Sequence, residues 1–395
     1  MAHADNVRRY FPAIRHVTFL NTGTFGLLPE VAVQTMQSAL ADQLSRSRGT
    51  RYYGDLASVK DKVREQLANL LDAPPECFAL TDSTTDAMNI VTNGLHWQPG
   101  DEVIVTDAEY PGAMISLFAL CERRDVTLRV LDGTLPEEEF MRQLERVLSP
   151  RTRLCVISHV SFQTGQRMPV ENIARVAHRY GAHVLVDGAQ GAGADTISLR
   201  TSDIDFYALP GQKWLCGPDG TGALYVRSDL FSVLRPVSQS YTSVKAGDAY
   251  NWSGSYLSWP DARRFEHTTI GLERLMGWYE SLQLMRVTIG WDFVFSRIHG
   301  MSGYLMDRLL DFDFVRVLTP RDSRAGLITF QLQSQTPETF VKEAREREIV
   351  VRSIAERRAV RVSTGCYNSE EDLDRIVQLV SEMGRQSNSL AKSGM

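Results

Sequence analysis

The middle of the 395-residue chain alternates between two hydrophobic periods, and this constrains its fold more than any other feature. Short runs rich in β-formers stand at 101–107 (DEVIVTD), 127–132 (TLRVLD), 152–160 (TRLCVISHV), 182–188 (AHVLVDG), 205–210 (DFYALP) and 222–227 (GALYVR). Between several of them lie stretches with helical spacing, at 111–125, 136–148 and 170–181. Strand–helix–strand alternation predicts an α/β fold whose mostly parallel sheet lies between helices. The runs at 103–105 (VIV) and 184–186 (VLV) are apolar on both faces, as strands covered on both sides should be. Gly181 marks a helix end, and Pro136 with three acids behind it marks a helix start.

From about residue 271 the pattern changes. Two long helices are predicted at 272–287 and 295–312, strands at 314–318, 326–332 and 359–363, and a closing helix at 369–386. We divide the chain into a large domain (26–270), a smaller C-terminal α+β domain (271–395) and an N-terminal segment (1–25) that joins the small domain. The polar tail at 387–395 is expected to fray.

Composition excludes several classes. Apolar residues make up 43% and charged residues 23%, as in ordinary globular proteins. A net charge of −5 offers no basic surplus to grip nucleic acid. No run of 18 apolar residues predicts a membrane span, and the first residues lack the apolar core of a signal peptide. Five scattered cysteines with no CxxC pair fit a reducing cytoplasm rather than a disulfide framework or structural zinc.

Three segments carry chemistry. In HVLVDGAQG (183–191), Asp187 ends a buried strand, where open α/β sheets bind ligands. Taken alone, it reads more simply as an acid capping the next turn. In DFYALPGQKWLCGPDGTG (205–222), Lys213 follows a strand among glycines, beside Trp214. A desolvated amine there becomes a nucleophile toward an aldehyde, although a lone loop lysine is usually a surface charge. In ALTDSTTDAMNIV (79–91), Ser83, Thr84 and Thr85 open a helix, an arrangement that suits a phosphate as well as an ordinary N-cap. Together, in this order, the three suggest pyridoxal 5'-phosphate, which needs a Schiff-base lysine, a carboxylate for its ring nitrogen and an anchored phosphate.

At these residues the sequence resembles the class V aminotransferase and cysteine desulfurase family, within fold type I of the pyridoxal-phosphate enzymes. The resemblance runs from FLNTGTFGLLP (19–29) through VDGAQ, GQKW and RFEHTT (264–269) to RVSTGCYNSEEDLDRIV (361–377). SHVSFQTGQRMP (158–169) is most similar to the cystine C–S lyases, with isopenicillin N epimerase-like proteins next. The resemblance implies that Lys213 holds the cofactor and shuttles protons at the substrate α-carbon. It implies that Asp187 pairs with the ring nitrogen and that Gln190 and Gln163 lie near the ring oxygen. It implies that Thr84, Thr85 and Gln212 bind the phosphate and that Tyr110 stacks on the ring. Arg361 is implied to grip the substrate carboxylate, and Thr269 to reach the neighbouring subunit's phosphate, so a homodimer with shared active sites is implied as well.

Pro210 stands where the family has a small hydroxyl residue, which removes one phosphate contact. The stretch VRSIAERRAVR (351–361), where a desulfurase carries its sulfur-accepting cysteine, is short and has none, while Cys366 follows the arginine. The expected enzyme therefore acts on a small amino acid, as a C–S lyase rather than a desulfurase. Aminotransferase and epimerase remain the alternatives, and a non-catalytic cofactor-binding protein the last. His159 reads as a structural strand-end histidine, His267 has no assigned role, and the aromatics near 51–53 and 250–259 suit a lid, a dimer surface or packing.

Overall fold

The structure, a computed structural model, describes residues 6–245, 250–333 and 335–393. A short first strand, β1 (Thr18–Phe19), precedes seven strands of one sheet. These are β2 (Phe78–Thr81), β3 (Glu102–Thr106), β4 (Thr127–Leu131), β5 (Thr152–Ser158), β6 (His183–Asp187), β7 (Phe206–Pro210) and β8 (Gly222–Val226). Their order is β2-β8-β7-β6-β5-β3-β4. All neighbours pair parallel except β8, which runs antiparallel to both β2 and β7. The central strands are buried except at Arg153 and His183, near their starts. Ile104, Ile157 and Val186 enter one apolar cluster, and Val105, Val156 and Leu185 enter another. Alternate residues of each strand thus feed opposite helical layers, which explains runs with no polar face. Only β4, at the edge, is largely exposed.

This topology gathers the carboxyl ends of β2, β3, β5, β6 and β7 on one side of the sheet. The three chemistry-bearing segments all begin there. A helix, α1 (Glu30–Arg46), and a longer one, α2 (Thr50–Leu71), precede the sheet, and the aromatic residues at 51–53 belong to α2. The helix that follows β2 is α3 (Thr84–Gly94).

A second sheet is antiparallel throughout, in the order β12-β13-β10-β9. It comprises β9 (Val315–Val317), β10 (Leu327–Leu332), β12 (Arg352–Ile354) and β13 (Ala359–Ser363). A two-residue strand, β11 (Ile349–Val350), pairs parallel with β1. Asn21 bridges to Ser363, and Arg8 Nη1 lies 2.7 Å from Asp372 Oδ2, so the N-terminal segment is bound to the last third of the chain.

Two expectations change. The helix predicted over 272–287 is α-helical only from Leu272 to Gln283 and then winds more widely through Leu284–Ile289, ending at Gly290 with φ +90°. The closing helix runs Glu370–Ser393, into the tail expected to fray, while residues 394–395 lie outside the described ones. Among the described residues no helix is long and apolar enough to cross a membrane.

Candidate active site

A cavity of about 310 Å³ opens at the shared strand ends. At one end lies the start of α3. Ser83 caps it, its hydroxyl accepting the Asp86 N–H at 3.1 Å. The first-turn N–H groups of Thr84 and Thr85 have no intrahelical acceptor, so they and the two hydroxyls at the cavity wall form an anion cradle. Gly112 stands close behind, since a Cβ there would lie 2.6 Å from Thr85 Oγ1. Gln212 lines the same cavity, and its buried side-chain oxygen has no protein partner.

Lys213 and Asp187 face the middle of the cavity. Burial pulls the Lys213 amine down to about 8, against the opposing pull of Asp187's charge. An amine in that range is largely neutral just above physiological pH, as a carbonyl-attacking nucleophile requires. Burial raises Asp187, while Lys213 and a 2.8 Å hydrogen bond from the Ala189 N–H favour its ionised form. The Lys213 Nζ lies 5.5 Å from the centre of the Tyr110 ring, which meets Phe162 edge to face at 5.4 Å.

The far wall comes from the second sheet. Arg361 is fully buried, its Nη1 donating to the Phe162 carbonyl at 3.1 Å and its Nη2 to Thr24 Oγ1 at 2.9 Å. Its buried Nε has no partner. Arg352 lines the cavity too, with Nη1 3.3 Å from the same Thr24 hydroxyl. The wall therefore carries two guanidiniums and a lysine against one carboxylate, an excess that favours anionic ligands.

Other predicted site residues stand differently. Gln190 lines the cavity, but its Nε2 donates to the Gly23 carbonyl at 2.8 Å and its Oε1 accepts from Trp214 Nε1 at 3.0 Å. One amide hydrogen is left for a ligand. Gln163 is not in the cavity wall; Phe162 stands there instead. The cause is Arg357, whose Nε takes Gln163 Oε1 at 2.6 Å and draws the amide to the rim beside Asp107. Thr269 is exposed and bonded to Tyr241, outside this chain's cavity. Its loop is anchored by buried Glu266, which meets Arg64, Lys60 Nζ at 2.9 Å and the Leu80 N–H at 3.1 Å. His267 pairs with Asp86 at 3.4 Å.

His159 is wholly buried, its Nδ1 3.0 Å from the Tyr207 hydroxyl, and burial lowers it to about 4. It is neutral and structural. Sequence reasoning did not single out Arg352, Phe162 or Glu109. Arg352 is one of four arginines in the ten residues 352–361, and only the β12–β13 register, which pairs it with Arg361, distinguishes it. A hollow of about 450 Å³ between α1, α2 and the Leu272–Gln283 helix is larger, but none of its lining residues comes from a strand end.

An anion cradle at a helix start, a buried lysine and a carboxylate, all at the carboxyl edge of this sheet, fit pyridoxal phosphate end to end and define a fold type I enzyme of that cofactor. The chain belongs to the aminotransferase class-V family, whose pattern it matches over residues 17–376. It is similar to a probable cysteine desulfurase of Halalkalibacterium halodurans, with 26% identity over 95% of this chain and 97% of that relative. Among solved structures it resembles a lysine-to-alanine variant of C-DES with glycine covalently linked to the cofactor. Identity there is 28%, TM-score 0.89, and coverage 94% of this chain and 98% of the other. The cystine C–S lyase C-DES bound to its reaction product cysteine persulfide superposes with TM-score 0.88 and 28% identity, over 94% of this chain and 99% of the other.

Proposed function

We propose that the protein is a C–S lyase that cleaves a cystine-type amino acid by β-elimination, giving pyruvate, ammonia and a persulfide. The paired guanidiniums of Arg352 and Arg361 carry this reading. A cystine-type substrate brings two carboxylates, and each can meet one arginine. The relatives' names, cysteine desulfurase and cystine C–S lyase, support cysteine-type C–S cleavage.

Pyridoxal phosphate held here would supply an electron sink next to the substrate α-carbon. Asp187 holds the ring nitrogen's proton, and Thr84, Thr85 and Gln212 hold the phosphate. Lys213 Nζ, facing the same cavity, would remove the α-proton. Arg361 orients that carbon by its carboxylate, and Arg352 holds the distal half that leaves with sulfur. Phe162 and Tyr110 shield the reacting centre from water.

A desulfurase would need a thiol to receive sulfur. None of the five cysteines lines the cavity. Cys366 is buried with Sγ 3.9 Å from Met285 Sδ, and burial raises it to about 12. We further propose a cytoplasmic homodimer in which Thr269 of each subunit completes its neighbour's phosphate site.

The test is a product assay on the holoenzyme with cystine and no added keto acid. Pyruvate, ammonia and persulfide in equal amounts are expected. A keto acid that keeps the substrate's sulfur and forms only when an acceptor keto acid is added points to an aminotransferase, and racemised substrate without pyruvate points to an epimerase. Either result overturns the lyase reading.

A further inference from the structure

Glu109 has no role in the mechanism above, yet it sits beneath the cavity in an unusual setting. It lies in the turn after β3 and is 4% exposed. Thr106 Oγ1 donates to its Oε1 at 2.7 Å, and Ser158 Oγ donates to its Oε2 at 2.5 Å. No cation is bonded or ion-paired to it among the described residues. A buried carboxyl without a cation is costly to ionise, so its presence calls for a reason.

The neighbouring strand suggests one. Ser158 is the register partner of Asp187 across β5 and β6. Paired residues of adjacent strands project to the same face. Glu109, Ser158 and Asp187 therefore form a row of carboxyl, hydroxyl and carboxyl along the sheet edge. The groups facing Glu109 are Thr106 from its own strand, Ser158 from β5 and Asp187 from β6, with Lys213 beyond Asp187. Asp107, in the same turn, is engaged elsewhere, with the Gly133 N–H and Arg357.

We propose that Glu109 is a positioning residue for Asp187: set beside it across Ser158, its negative charge strengthens the grip of Asp187 on the ring-nitrogen proton of pyridoxal phosphate. The physical basis is that a like charge nearby makes a carboxylate a stronger base. Burial and Asp187 bring Glu109 to about 7, so this charge is present above neutral pH and is lost below it. Asp187 thus grips the ring-nitrogen proton more firmly above neutral pH than below it.

Glu109→Gln tests this, because the amide keeps the size of the side chain and one acceptor. The readout is the visible absorbance of the bound cofactor against pH, together with the cofactor's dissociation constant. The absorbance follows loss of a proton from the cationic link between Lys213 and the cofactor. Removing a nearby negative charge makes that loss easier. The midpoint should fall by ~0.5–1 pH unit and cofactor affinity by roughly 3–10-fold. Ser158→Ala removes one donor to Glu109 and should move the midpoint the same way by less. A Glu109→Gln protein with native near-UV dichroism and a midpoint within ~0.2 unit of wild type would overturn the proposal. If that variant does not fold, an unmoved midpoint in Ser158→Ala overturns it instead. The readout needs only bound cofactor and does not depend on which reaction the enzyme runs.

Discussion

Arg352 and Arg361 are register partners across the β12–β13 hairpin, and both guanidiniums reach the hydroxyl of Thr24, at 3.3 and 2.9 Å. Two like charges are held on one wall by strand pairing rather than by a shared counter-ion. Burial and the charge of Arg352 both work against the Arg361 cation, so an incoming carboxylate relieves an existing electrostatic cost.

Removing each arginine should separate two functions. A charge-assisted hydrogen bond contributes about 1.5–3 kcal/mol, or roughly 10–150-fold. Arg361→Ala should lower kcat/KM by about that much or more for cystine and cysteine alike. Arg352→Ala should lower it for cystine and leave cysteine within about threefold. Steady-state kinetics on both substrates checks this, and equal losses on both would remove Arg352 as the distal contact.

Lys213 makes loading with the cofactor depend on pH. Capture requires the neutral amine, and burial brings that amine to about 8. The rate at which apoprotein gains visible absorbance should climb with pH and level off above about 8. Lys213→Ala should show no such band at any pH. A flat rate between pH 7 and 9 would contradict the buried setting of the amine.

Glu109 should leave a mark on stability. Its folded-state value near 7 exceeds the ordinary 4.5, so between these values the folded chain holds a proton that the unfolded chain releases. Stability from this group therefore falls as pH rises through that window, by about 3 kcal/mol. Urea unfolding of apoprotein at pH 5 and pH 8 should show Glu109→Gln gaining on wild type at the higher pH. An unchanged gap would mean Glu109 titrates normally.

Glu266 anchors the loop that carries Thr269. It is buried between Arg64 and Lys60, and Glu266→Ala leaves the nearly buried Arg64 without its main partner. Such a loss costs about 3–5 kcal/mol. A calorimetric Tm within a degree of wild type would show that the cluster is not stabilising.

Cys366 offers a sharp negative prediction. Cys366→Ala should keep lyase activity within about twofold, since the thiol is 3% exposed and far above its reactive range. Loss of activity with an intact fold would revive a persulfide mechanism.

The sheet was legible because its central strands are apolar on both faces, Asp187 because it ends such a run, and Lys213 because it follows one within a glycine-flanked turn. The chain pattern did not reveal contacts that arise only from pairing between strands. Arg352 looks like its neighbours until β12 folds against β13. Gln163 sits in a strand-end turn, where the backbone decides which side chain faces the cavity, and Arg357 from a distant hairpin settles that choice. Glu109 precedes the more conspicuous Tyr110, and its burial depends on Ser158 from another strand. β11 and β12, at two and three residues, are too short to display a period.

The pairing of β1 with β11, and of Thr24 with both arginines, has a consequence for biosynthesis. Residues made among the first two dozen wait for partners made after the three-hundred-and-fortieth. A nascent chain on the ribosome can assemble the seven-stranded sheet and its lysine, but the substrate wall closes only once translation is nearly finished. The substrate wall is thus the last part of the cavity whose residues can find their partners.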